Sequence, residues 1–292
     1  MIILVGMALT KKGIITAEGK KCLTDLVVYA ILPCNIIKSY LMPFKGNLWE
    51  TFSHVFLAGL FHILLMMLLN HFVFNRYAPR RKKVLQYASL IPNSGFIGYP
   101  VAEGVYGALG LFYASIYLIP LRIVMWSVGT SYFIANQMSR KELIKKIVTH
   151  PCLIAVYIGL FIMLSHISLP PFITLTVKYI GNCNAAITMF TIGTILAHVP
   201  LRTIFNKDSF MFCLYRLFII PAFAWGIARF FGLDAVATGT AVVLMGMPAG
   251  ATTAIFADRY GSDAAFATQI TVLSTLLSMA TVVFWCTVMP SP

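Results

Sequence analysis

The sequence predicts an all-α integral membrane protein of ten transmembrane helices, arranged as two inverted repeats of five. Three observations predict it. Of 292 residues, 59% are hydrophobic and only 11% charged, with a mean hydropathy of +0.85, whereas soluble domains carry roughly 25% charged residues. Apolar stretches of bilayer-crossing length, about 20 residues, follow one another along the chain. A proline-centred polar motif recurs in the fourth stretch of each half.

The stretches run in order. Met1 to Thr10 is apolar but, at about 15 Å as a helix, too short to span. Cys22–Tyr40, Trp49–Phe74, Val84–Tyr106 and Leu109–Ala135 complete a first unit, residues 1–136. A basic connection, 137–150, separates it from Pro151–Ser165, Phe172–His198, Ser209–Phe231, Asp234–Ala257 and Ala264–Met289 in a second unit, 151–292. With an odd number of spans in each unit, the halves lie in opposite orientations across the membrane, the plan of many secondary transporters.

The basic residues set the direction. Placing the first loop in the cytoplasm and alternating puts 16 of the 22 Lys and Arg inside and four outside, with Arg122 and Arg216 within spans. This is the positive-inside pattern, and it leaves both termini outside a plasma or bacterial inner membrane. The net charge of +13 is thereby explained by membrane orientation, and nucleic acid is excluded as a partner. No cofactor is expected. The six cysteines form no CxxC, and His54, His62 and His71 do not share a helical face, so no metal site is expected. HExxH, GxSxG and Walker patterns are absent, which argues against an enzyme.

Segment four reads Ile91-Pro92-Asn93-Ser94-Gly95-Phe96-Ile97-Gly98-Tyr99-Pro100 and exits at Tyr106-Gly107. Segment nine reads Gly246-Met247-Pro248-Ala249-Gly250-Ala251-Thr252-Thr253 and exits at Tyr260-Gly261. The prolines are 156 residues apart and the tyrosines 154, a nearly constant offset. Proline withdraws a backbone donor and clashes with the preceding turn, and the neighbouring glycines let the chain leave helical geometry. Such interruptions persist in a membrane where they line a polar cavity or pack in protein, and the half-helix that follows presents N–H groups and a positive dipole end to an anion. The plainer alternative for either segment alone is a proline kink.

These two motifs resemble the auxin efflux carrier family, which includes plant auxin exporters and bacterial carriers of malonate and related acids. Arg216-Leu217-Phe218-Ile219-Ile220-Pro221, Met189-Phe190-Thr191-Ile192-Gly193 and Leu32-Pro33 fit as well, and the short connection around 137–150 is similar to bacterial members. The resemblance implies that helices four and nine are broken, cross at mid-membrane and frame the substrate site of an elevator-type carrier. It also implies a full-length first helix, so the chain is expected to lack roughly ten residues there. Ile187 and Thr253 stand where many members have proline.

Intramembrane polar residues are functional candidates. Asn93 is the first choice for a substrate carboxylate, with Ser94, Thr252 and Thr253 as further donors, and Pro92, Gly95, Pro248, Ala249 and Gly250 shaping the breaks. Arg216 and Arg122 are candidate anion contacts, although Arg216 also fits a snorkelling side chain. Asn35 is expected to line the site from segment two. Glu103 and Asp258, at the exits of the two broken helices, are candidates for coupling or gating. The sequence thus reads as a secondary transporter of small organic anions, mono- or dicarboxylates, coupled to protons or sodium, embedded in lipid and with a homodimer as a candidate assembly. The competing reading is a membrane receptor that binds such an anion without moving it.

Overall fold

A computed structural model describes residues 1–41, 47–125, 129, 132–133, 139–165, 167, 169–197 and 205–289. Among them every regular element is helical: α1 (Ile2–Lys11), α2 (Ala17–Tyr40), α3 (Leu48–Val73), α4 (Pro79–Leu90), α5 (Gly98–Val124), α6 (Arg140–Val148), α7 (Pro151–Ser165), α8 (Pro171–Asn182), α9 (Asn184–Leu196), α10 (Lys207–Phe230), α11 (Ala235–Met245), α12 (Thr252–Arg259) and α13 (Ala264–Val288). Five are long and apolar enough to cross a membrane, α2, Trp49–Val73 of α3, α5, α10 and α13; α7 and α11 are shorter apolar helices.

Several helices depart from the regular spans expected. α2 and α10 each contain a π-turn, Val27–Ile31 and Tyr215–Ile219, just before Pro33 and Pro221. A proline removes one donor from the helical ladder, and an inserted residue accommodates the gap. In α10 the carbonyl left open by Pro221 is that of Leu217, and the Trp285 indole N–H fills it at 2.8 Å. The apolar stretch expected to run unbroken from Phe172 divides at Cys183 into α8 and α9. α5 changes direction at Gly107 (φ 65°, ψ −157°), so its 27 residues comprise the end of segment four and the start of segment five. Within the connection, Arg140–Val148 form α6, opened by a capping box: Glu142 N–H donates to Ser139 Oγ at 3.3 Å, and Ser139 N–H donates to Glu142 Oε2 at 3.2 Å.

The helices pack as two groups. In the first, α1 lies along α9, and the second half of α2 packs on α7 and α8. Gly6 permits the α1–α9 approach, because a Cβ there would stand 2.5 Å from Phe190 O. In the second group α5 packs on α3 and α11, α10 on α11, and α13 on α12 and the start of α10. Arg81 ties three helix starts in this group, reaching Asp208 at 3.1 Å and Asp263 at 2.9 Å. The groups meet mainly where α5 touches the end of α2, α7 and α9.

Candidate functional site

The two prolines place the site. After α4 the chain turns extended at Ile91 (φ −109°, ψ 94°) and Pro92 (φ −72°, ψ 162°), and after α11 it leaves the helix around Pro248. These extended pieces form an antiparallel bridge between Pro92 and Ala249. Asn93 N–H donates to Pro248 O at 2.8 Å, and Gly250 N–H donates to Ile91 O at 3.0 Å. Each interruption thus supplies hydrogen bonds the other has lost, which lipid cannot supply.

Side chains complete the exchange. Pro248 has no N–H to offer Leu244 O, and the Ser94 hydroxyl donates to that carbonyl instead. The Ser274 hydroxyl accepts from Ala249 N–H at 3.1 Å. Tyr87 OH donates to Thr252 Oγ1 at 2.9 Å. Arg216, wholly buried, donates through Nε to Met247 O and through Nη1 to Ser89 O, both at 3.0 Å.

Beside this junction lies a cavity of about 270 Å³. One wall comes from the second group: Ile91, Pro92, Asn93, Gly95 and Phe96, then Leu118, Leu121, Arg122 and Met125, then Gly250, Ala251, Thr252 and Ile255. The opposite wall comes from the first group: Thr24, Val28 and Leu32 of α2, His150 and Cys152 at the start of α7, and Thr191 of α9. No described lining residue is a carboxylate.

Among the described lining residues Arg122 carries the formal charge. Its guanidinium lies 5.8 Å from the centre of the Tyr99 ring and 3.4 Å from His150 Nε2. Burial, with the Arg122 charge beside it, pushes His150, in the turn before α7, down to about 3. The imidazole is therefore neutral near pH 7 and adds a donor or an acceptor, not a second charge. The Asn93 side chain is half-buried on the same wall and has no protein hydrogen-bond partner among the described residues. The first turn of α12 opens at Thr252 on that wall, with Thr253 N–H already donating to Gly250 O at 2.9 Å.

Of the residues singled out from the sequence, Pro92, Asn93, Gly95, Arg122, Gly250 and Thr252 border this space. Ser94, Pro248, Ala249 and Arg216 lie behind it, in the bonding of the junction. Thr253 is fully buried, with its hydroxyl unpartnered. Asn35 and Glu103 meet elsewhere: Asn35 Nδ2 donates to Glu103 Oε2 at 2.8 Å, and Lys38 holds the other oxygen at 2.5 Å. The side chain of Asp258 lies outside the described residues. His150, Thr24 and Thr191 also border the cavity, and nothing in the sequence marks them as site residues. Thr24 sits in the polar opening of α2 and Thr191 in the apolar α9, and the packing of these helices turns both to the cavity.

The chain is similar to known membrane transport proteins. An uncharacterized transporter of Methanocaldococcus jannaschii is 23% identical over 294 residues, covering 98% of this chain and 94% of that protein. Another, from Methanothermobacter thermautotrophicus, is 28% identical over 208 residues, 70% of this chain and 67% of that one. The profile of the family described as Membrane transport protein matches residues 1–145 and 134–286. The chain therefore belongs to that family of membrane transport proteins, the auxin efflux carrier family.

Proposed function

We propose that this chain is a secondary active transporter of small organic anions, mono- or dicarboxylates, working by elevator-type alternating access and driven by a proton or sodium gradient. In this reading ten transmembrane helices form two inverted repeats, 1–136 and 151–292, joined by 137–150. The interrupted helices are α4 continuing into the start of α5, and α11 continuing into α12; they cross at mid-membrane. The observation that carries the reading is the cavity at the paired interruptions, bordered by both helix groups, with Arg122 as its formal charge and no carboxylate in its described wall. Arg122 and the Asn93 amide bind the substrate carboxylate, and the first turn of α12 adds its dipole. A site bordered by two groups that meet over a limited surface is suited to movement of one group past the other.

The test is uptake of labelled mono- and dicarboxylates into proteoliposomes under an imposed proton or sodium gradient. Accumulation of at least one anion, lost in Arg122→Gln, is the expected result. Saturable binding of an anion with no uptake under any gradient would replace the transporter with the receptor reading. Neither uptake nor binding across the panel would remove the cavity as an anion site.

A further inference from the structure

Among the described residues the largest side chain with no exposure is a charged one, Arg216. No described carboxylate pairs with it; the ion pairs of the described residues are Lys38–Glu103 and those of Arg81. Its partners are two backbone carbonyls, Ser89 O and Met247 O. Ser89 lies in the last turn of α4, and Met247 follows the end of α11. In an unbroken helix Ser89 O would accept from the N–H of Asn93, but that N–H goes to Pro248 O. The carbonyl ends of two interrupted helices, each the negative end of a helix dipole, therefore converge on one guanidinium.

Converging half-helix carbonyl ends at paired breaks are the arrangement with which carriers built from interrupted helices hold a coupling sodium ion. Here two such carbonyls already accept from a cation, and that cation is attached to the chain through α10. A guanidinium stays charged at any physiological pH, so the position is permanently filled. A sodium ion beside it would meet a like charge in a water-poor interior and find these two acceptors occupied. We infer that Arg216 is a built-in cation that takes the place of a coupling sodium ion at the junction of the two breaks, so that this junction neither binds sodium nor uses it to move substrate. The consequence for coupling rests on the transporter reading above; the assignment of the junction does not, and the experiment keeps them apart.

The experiment is thermal unfolding of the purified chain in detergent, in sodium chloride against N-methyl-D-glucamine chloride at equal ionic strength. The wild type is expected to show the same midpoint in both salts across the titration. A saturable rise with sodium in the wild type overturns the inference, whatever uptake measurements give. Arg216→Gln removes the charge and frees at least one carbonyl. Its midpoint is expected to fall and to become sodium-dependent, while Arg216→Lys restores sodium indifference. An Arg216→Gln chain as stable as wild type and indifferent to sodium overturns the role of Arg216. Where Arg216→Gln does not fold, the wild-type titration and Arg216→Lys decide. Uptake that fails for every anion tested speaks against the transporter and leaves the sodium titration intact.

Discussion

Lys38 and Glu103 form an ion pair at 2.5 Å between the end of α2, in the first helix group, and α5, in the second. Asn35 and Asn182 complete the cluster, Asn35 on the carboxylate at 2.8 Å and Asn182 accepting from Lys38 at 3.0 Å. Tyr40 and Ser115, 2.7 Å apart, join the same helices one step on. The pair is mostly withdrawn from solvent, with side chains 14% and 23% exposed, so its two members are strongly interdependent.

A double-mutant cycle of Lys38→Met and Glu103→Gln is therefore expected to show coupling of roughly 1–3 kcal/mol, between exposed and buried pairs. Both single variants should raise the rate of exchange between the two faces of the membrane, because each loosens the joint between groups. Additive effects on stability, with unchanged exchange, would make the pair a bystander.

Asn93→Ala is expected to weaken anion binding about tenfold or more, the effect of losing one hydrogen bond to a charged partner, roughly 1.5–3 kcal/mol. The fold should persist, since the bond to Pro248 uses the Asn93 backbone, not the side chain. The measurement is the concentration dependence of whichever anion the proteoliposome panel identifies; an unchanged half-saturation in folded protein would take Asn93 out of the site.

Gly95→Ala tests Arg122 without touching its charge. A Cβ at position 95 would stand 2.9 Å from Arg122 Nη2, with no backbone strain at that residue. The guanidinium must move, and anion affinity is expected to fall severalfold while the chain stays folded, since the atom met is the far end of a flexible side chain. Equal affinity for Gly95→Ala and wild type would mean that the position of Arg122 does not matter to binding.

How much of this was legible in the sequence depends on the range of the cause. Proline and glycine act locally, so the interruptions at Pro92 and Pro248 and the turn at Gly107 could be read directly. The capping box at Ser139 and Glu142 is equally local, although the basic residues around it mask the helix start. The direction a side chain takes beyond a break is set by distant packing. Asn93 and Ser94 are neighbours, yet one borders the cavity and the other bonds to Leu244 O. Asn35 and Glu103 looked like separate elements of a site and are partners of each other. The α2–α7–α9 wall of the cavity is a product of tertiary contact, for which single-helix patterns carry no signal.

The two Tyr-Gly exits place different demands on the backbone. Gly107 and Gly261 share a φ of 65°, but their surroundings differ. Gly261 ends α12 in a Schellman turn, with Ser262 N–H donating to Ala257 O at 2.8 Å, the left-handed cap in which Asn substitutes for Gly with little cost. Gly107, at ψ −157°, occupies a region essentially confined to glycine. An added Cβ meets nothing within 4 Å at either position, so backbone conformation alone sets the cost. Gly107→Ala and Gly107→Asn are both expected to destabilise by about 1–3 kcal/mol. At Gly261 alanine is expected to cost roughly 1–2 kcal/mol and asparagine clearly less. Denaturant or thermal unfolding of the four variants reads the difference directly. Asparagine rescuing position 107 as well as position 261 would show that the backbone at Gly107 is an ordinary left-handed turn and that the two exits are equivalent after all.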